Sequence, residues 1–219
     1  MSVVKFYIVR HGETDANRQK IIQGQLDTEL NAAGIEQAQL TANALANIPF
    51  TAAYTSDLSR ARKTAEIILA KHGNAPALTA YEELRERCMG DLQGKPYRGD
   101  GSWSESANVE PVADFQTRTI RLWNKLVQRH VLAKQEETPV NILMTSHGAF
   151  IGVLIEGLIG SRKVRCAEGV RIGRCLNASI TIVELDWESK GRGKVVRYAD
   201  TTHLDVDLVQ VNADSDVMR

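Results

Sequence analysis

The chain has 219 residues with 27 basic and 27 acidic side chains, 43% apolar residues and 5% aromatic ones, a composition that excludes collagen, coiled coil and intrinsic disorder and makes a single domain, residues 1–219, the expectation. A chain of this size buries roughly 70% of the surface that its unfolded form exposes, so neither disulfides nor a structural metal is needed to hold a core. Zero formal net charge gives no general field for nucleic acid or an acidic membrane, and any anion must be held by a local cluster.

Residues Val3 to Val9 are β-rich and nearly all apolar, as in a strand buried on both faces of a parallel sheet, and the run ends at Arg10-His11-Gly12. Asn31 is placed to cap a helix whose stripe is Ile35, Ala38, Ala42 and Leu45, stopped by Pro49. Phe50 to Thr55 reads as a short strand, Ser56 or Asp57 as the next N-cap, and Leu58, Ala61, Ala65, Ile68 and Leu69 as one helical stripe. Ala77 to Tyr81 is a third strand. The stretch 87–111, rich in Gly, Ser and charge, is long for a connector and reads as a lid. Val112, Phe115, Leu122, Trp123 and Leu126 mark a long helix. Val140 to Thr145 is a second strongly apolar strand, ending at Ser146-His147-Gly148 before a helical run from Ala149 to Ile159. Ser179 to Trp187 and Lys194 to Ala199 form a closing β-pair around a turn at Ser189 to Gly193, and the tail 212–219 reads as frayed. Alternating strands and helices imply a layered α/β domain with right-handed crossovers.

Cys88, Cys166 and Cys175 fit neither a redox pair nor a zinc knuckle, and read as free buried thiols in a reducing compartment. The N-terminus lacks a signal-peptide pattern, so the chain reads as cytoplasmic. The longest apolar stretch, Val140 to Gly160, contains Asn141, Ser146, His147 and Glu156, which argues against a membrane span.

Two of the five histidines share one setting, an apolar strand running into His-Gly. Ligands of open α/β sheets bind beyond the carboxyl ends of strands, which would bring His11 and His147 to one crevice, and Gly12 and Gly148 let backbone approach a ligand closely. Arg10 beside His11 calls for an anion, because a guanidinium at a strand terminus is costly to bury unpaired. No nucleotide-binding glycine loop, zinc-protease spacing or serine elbow is present, so no metal or cofactor is expected. Arginines with paired histidines suit a doubly charged phosphoryl group.

Arg10-His11-Gly12-Glu13-Thr14, with Asn17 and Gln23-Gly24, resembles the signature of the histidine phosphatase superfamily, the phosphoglycerate mutase-like proteins. The similarity continues through Leu30-Asn31-Ala32-Ala33-Gly34, Thr55-Ser56-Asp57-Leu58-Ser59-Arg60-Ala61, Leu84-Arg85-Glu86-Arg87 with Gly90, and Ser146-His147-Gly148. The resemblance implies a three-layer α/β/α sandwich with a mostly parallel central sheet. It makes His11 a nucleophile that becomes phosphohistidine, surrounded by Arg10, Arg60 and His147 with Asn17 as a further donor, and makes Glu86 the proton carrier. Gln23, Gly24 and Arg87 match substrate-contact positions of the family, where a loop hydrogen bond, a turn glycine and a solvated arginine are the alternatives. Gly148 joins them as a close-approach glycine. Arg62, Glu82 and Glu83 read as surface charges, and His72 and His130 as exposed or dipole-complementing residues at helix ends; His203 is given no role. Arg98, Trp103 and Arg118 are expected to fold over the crevice and select the leaving group.

The family resemblance implies a phosphatase acting on a small phosphorylated substrate, because the segment between Glu86 and His147 is shorter than in the cofactor-dependent mutases. Mutase-type phosphoryl transfer is the alternative, since Glu86-Arg87 with Gly90-Asp91-Leu92-Gln93-Gly94 resembles the mutases locally, and a non-catalytic phospho-ligand or partner-binding member is a second one. Oligomeric state is not encoded in any motif.

Overall fold

β1 (Val3–Arg10) alternates, sending Val4, Phe6 and Ile8 to one face and Tyr7 and Val9 to the other, and all five are buried because both faces are covered. A computed structural model describes residues 3–97, 108–132, 139–186 and 192–209. Along the chain follow α1 (Asp15–Arg18), α2 (Ala32–Leu45), β2 (Ala52–Ser56), α3 (Ser59–Leu69), β3 (Leu78–Tyr81), α4 (Val112–Val127), β4 (Val140–Ser146), α5 (Gly148–Gly160), β5 (Val164–Cys166), β6 (Ile180–Asp186) and β7 (Gly193–Asp200). The strands make one seven-stranded sheet in the order β3-β2-β4-β1-β6-β7-β5.

Four pairings, β1 with β4, β2 with β3, β2 with β4 and β5 with β7, are parallel, whereas β1 with β6 and β6 with β7 are antiparallel. The sheet is thus mostly parallel, as expected, and β1 lies at the junction, with one parallel and one antiparallel neighbour. β5 went unanticipated because three residues show no periodicity. Phe6, its ring centroid 4.6 Å from that of Trp123 and tilted 45° to it, belongs to the core under α4 and α5. Tyr7 and Val9 pack with Ala42, Leu45, Ile68 and Leu69 under α2 and α3. The result is a three-layer α/β/α sandwich.

Helix starts depart from expectation where tertiary partners intervene. Asn31 caps α2 through Gly34 N–H at 2.8 Å, but Ile35 lies on the outer side, 38% exposed. Gly34 faces inward instead, because a side chain there would meet Glu13 O at 2.0 Å. Neither Ser56 nor Asp57 is the N-cap of α3. Leu58 holds that position with no side-chain bond, and Asp27, from a distant loop, accepts Ser59 N–H at 2.7 Å and its hydroxyl at 2.8 Å. The strand expected at Phe50 begins at Ala52, since Phe50 turns into the core edge-on to Tyr7. Val112 starts its helix half exposed.

Of the expected lid 87–111, residues 98–107, with Arg98 and Trp103, lie outside the described residues. The part before them is bound to the 20–26 loop by Ile22 N to Lys95 O at 2.9 Å, Gly94 N to Ile22 O at 2.8 Å and Tyr97 N to Lys20 O at 2.8 Å. The tail 212–219 and most of the turn at 189–193 also lie outside. All three cysteines are free, but only Cys175 is buried, Cys88 and Cys166 being half-buried. Among the described residues no helix is long and apolar enough to cross a membrane.

Candidate active site

Parallel pairing of β1 with β4 sets Arg10 opposite Ser146, so the residues that follow, His11 and His147, leave the sheet side by side. The chain after β1 turns to the α2 and α3 layer, while β4 continues directly into α5 on the other layer, which opens a crevice between two adjacent strand ends. His11 N–H donates to Ser146 O at 3.0 Å, and the two rings lie 5.1 Å apart. A separate cavity of about 840 Å³ lies beside the other end of β1 and contains none of the expected site residues.

His11 is held from both sides. Its Nδ1 lies 2.7 Å from Gly12 O, an acceptor without a hydrogen, so Nδ1 carries the ring proton and Nε2 keeps its lone pair. Arg60 Nε donates to that Nε2 at 3.3 Å. Burial first, then the charges of Arg60 and Arg10, hold the imidazole well below its usual range. The ring is neutral and its free nitrogen faces the guanidinium. Gly12 N donates to Thr64 Oγ1 at 3.1 Å, and a side chain at Gly12 would sit 2.3 Å from Gly34 O. Glycine is required there by close packing of the loop on the first turn of α2.

His147 is equally buried, and burial again leads the causes that lower it, followed by Arg60 and His11. Its Nε2 lies 2.9 Å from Ser56 Oγ. That hydroxyl also accepts Leu58 N–H at 3.3 Å, so Ser56 ties His147 to the start of α3 and fixes which ring nitrogen faces the β2 end. His147 Nδ1 is buried with no hydrogen-bond partner among the described residues.

Arg10 and Arg60, 0% and 1% exposed, are held by backbone carbonyls. Arg10 Nη1 donates to Cys175 O at 2.6 Å, and Arg60 donates to Leu26 O at 2.7 Å and Gly24 O at 2.8 Å. Arg62, two residues on, is exposed and pairs with Glu66 at 3.2 Å, which separates the two arginines by helix face as expected. Gly148 lies against Arg10, whose guanidinium carbon is 3.3 Å from where a Cβ would stand.

Glu86 is 7% exposed. One carboxylate oxygen accepts Ala149 N–H at 2.9 Å and the other Arg87 N–H at 2.8 Å, so the carboxylate lies in the first turn of α5, two residues past His147. Glu82 is exposed, whereas Glu83 is only partly so. The sequence therefore brings Arg10, His11, Arg60, Glu86, His147 and Gly148 to one end of the sheet.

The profile of the histidine phosphatase superfamily, branch 1, matches residues 6–201. The chain belongs to that family. It is 33% identical to phosphoglycerate mutase-like protein 4 of Arabidopsis thaliana, over 90% of this chain and 86% of that one. It is 32% identical to a broad-specificity phosphatase of Saccharomyces cerevisiae, over 93% of this chain and 88% of that one. Its fold is similar to the crystal structure of a phosphoglycerate mutase from Bacillus anthracis, with a TM-score of 0.77 and 25% identity over 92% of this chain and 95% of that one.

Within this histidine phosphatase domain the remaining expected residues are placed as follows. Asn17 is buried, its Oδ1 accepting Thr14 N–H at 3.2 Å in the capping box of α1. Gln23 Oε1 lies 2.9 Å from Thr14 Oγ1 and 2.6 Å from that of Thr28. Gly24 has φ +51, in the left-handed region that favours glycine, and its carbonyl anchors Arg60. Arg87 is half-buried and donates from Nε to Glu110 O at 2.8 Å. Arg118 does not fold over the crevice; it lies beneath the Glu86 loop. His130 is half-buried, 2.6 Å from Tyr54 Oη, and His72 packs edge-on to Phe50, so neither is exposed, although both lie just past helix C-terminal ends as anticipated. His203 lies 3.0 Å from Thr41 Oγ1.

Sequence reasoning missed three supports. Asn177 Nδ2 donates to His11 O at 3.0 Å and Gly12 O at 3.3 Å. Ser56 orients His147, and Glu13, 1% exposed, pairs with Arg18 at 2.7 Å and accepts Asn31 Nδ2 at 2.7 Å. The adjacency of Glu13 to His11 was the available signal for one of them, whereas Asn177 lies in the C-terminal third, which carries no motif.

Proposed function

We propose that this protein is a metal-independent phosphomonoesterase that hydrolyses a small phosphorylated metabolite through a phosphohistidine on His11. The observation that carries the reading is a buried, neutral imidazole with its proton fixed on Nδ1 and its Nε2 lone pair facing a guanidinium. Nε2 attacks phosphorus and the bond to the leaving oxygen breaks, while Arg10, Arg60 and His147 stabilise the three equatorial oxygens. Glu86 hands a proton to the leaving oxygen, then takes one from the water that displaces the phosphoryl group and releases inorganic phosphate. Two guanidiniums supply the neutralisation that a divalent ion supplies in other phosphoryl-transfer enzymes. Asn17, Gln23, Gly24 and Arg87 border this site in the reading, Gly24 by fixing Arg60. The yeast relative's name supports hydrolysis and the Bacillus neighbour's supports phosphoryl transfer between hydroxyls, so mutase activity is the second reading.

Acid quenching during turnover should reveal an acid-labile, base-stable phosphoryl group that is absent from His11→Ala. A panel of monoesters assayed in EDTA, beside an assay for exchange between 2- and 3-phosphoglycerate, separates the two activities. Normal turnover by His11→Ala, or loss of activity in EDTA restored by a divalent ion, would refute the mechanism.

A further inference from the structure

Residues 83–86 form no regular ladder with the sheet, yet each of their carbonyls is held by a side chain. Ser146 Oγ donates to Leu84 O at 2.7 Å. Arg118, one turn and a half into α4, takes the other three, with Nη1 donating to Glu83 O at 3.0 Å and Arg85 O at 2.9 Å and Nη2 to Glu86 O at 2.8 Å. Its remaining hydrogens go to one carboxylate, Nε to Glu110 Oε1 at 2.7 Å and Nη2 to Oε2 at 2.9 Å. All five guanidinium hydrogens are thereby used, which an ammonium with three donors cannot reproduce.

Glu110 commits its other polar groups to the same segment. Its Oε2 accepts Cys88 N–H at 2.9 Å, its N–H donates to Cys88 O at 2.8 Å, and its carbonyl accepts Arg87 Nε at 2.8 Å. Arg118 and Glu110 therefore clamp residues 83–88 onto the start of α4 and hold the backbone that carries Glu86. The facing charged groups are Arg87, on the same loop, and Glu86 itself. Surface packing alone would not require a rigid five-donor fork; a carboxylate that must meet both a leaving oxygen and an attacking water has that requirement, because a misplacement of about 1 Å is enough to cost about 100-fold in rate.

We infer that Arg118, with Glu110, is a positioning residue that acts through Glu86 in the proton-transfer steps. The inference rests on the proposed role of Glu86 as proton carrier. It is tested with Arg118→Lys and Glu110→Gln, each alone and combined with Glu86→Gln, on an alkyl phosphate and on p-nitrophenyl phosphate, the second of which leaves without needing a proton. Arg118→Lys should lower kcat for the alkyl ester by about 10- to 100-fold, below the 10²–10⁴ range of general acid catalysis itself. It should change phosphohistidine formation from the nitrophenyl ester by less than about 3-fold, and Glu110→Gln should act in the same direction. In the Glu86→Gln background neither change should lower the alkyl-ester rate further. Equal losses on both esters, or undiminished losses when Glu86 is already Gln, overturn the clamp as a positioning device and leave it a structural one. Should Glu86→Gln by itself lose equally on both esters, the proton-carrier reading fails, and that result is distinct from failure of the clamp. Circular dichroism of each variant establishes that it is folded, and Glu110→Gln, which keeps an amide acceptor for Arg118, carries the test if Arg118→Lys unfolds.

Discussion

Replacing Gly12 with Ala adds one methyl group at the point where the nucleophile's loop passes over the start of α2. The new Cβ would lie 2.3 Å from Gly34 O, 2.9 Å from its carbonyl carbon and 3.0 Å from its Cα. Ordinary contact begins near 3.4 Å, so one backbone must yield by about 1 Å, and one is a loop anchored by hydrogen bonds while the other is the capped first turn of α2. Overpacking of this kind destabilises by about 1–3 kcal/mol, or a fall in Tm of roughly 2–4 °C per kcal/mol in a chain of this length. Gly12 O fixes the His11 ring and Gly12 N is tied to Thr64, so the same displacement shifts Nε2 and should lower kcat/KM by about 100-fold. Gly152 supplies the contrast, for it lies within α5 and a Cβ there meets nothing within 4 Å. Gly152→Ala should stabilise the protein by about 0.5–1 kcal/mol with activity unchanged. Thermal melts followed by circular dichroism, with kcat/KM on p-nitrophenyl phosphate, read both variants. If Gly12→Ala melts and turns over like Gly152→Ala, the steric argument for the nucleophile's loop is wrong.

Arg60→Ala should cost about 10²-fold or more in kcat/KM, as for loss of a charged donor aimed at the transferring group, while Arg62→Ala on the outer face should change it by less than about 2-fold; a reversed order in steady-state kinetics would contradict the helix-face assignment. Below the ordinary imidazole range, near 6.5, stability should fall with pH. Burial foremost keeps His11 and His147 unprotonated in the folded chain, so the unfolded chain takes up protons that the folded one refuses, and each imidazole contributes a slope of about 1.4 kcal/mol per pH unit. Urea melts at pH 7.5, 6 and 5 measure this, and a His147→Gln variant should show a shallower decline. For the same reason the acidic limb of kcat/KM set by His11 should lie below pH 6.5, and a limb at or above that value that vanishes only with His11 would count against a neutral nucleophile.

The layered α/β plan and the pairing of His11 with His147 beside Arg10 were legible in the chain itself, because they rest on local physics, whereas Arg60 and Glu86 were named through the family resemblance. Val3 to Val9 and Val140 to Thr145 announce buried strands by apolar, β-branched composition, and in such a sheet the residues just past the strand ends face the ligand crevice, which made His11 and His147 partners before any coordinates. Spacing on α3 separated Arg60 from Arg62, since two residues of helix turn side chains to different faces. Tertiary structure decided what depends on residues far apart in sequence. Asp27 caps α3 from a loop 32 residues away, displacing the local candidates because Ser56 is engaged by His147 and Asp57 by Arg85. Ile35 is turned outward because only a residue without a side chain fits where Gly34 meets Glu13. The proton on His11 Nδ1, the contact of His147 Nε2 with Ser56 and the Arg118–Glu110 clamp are all set by partners that no period or motif encodes. Periodicity reports which face of an element is buried; the partner that satisfies a buried polar group is chosen by the folded chain, and in this protein that choice builds the site.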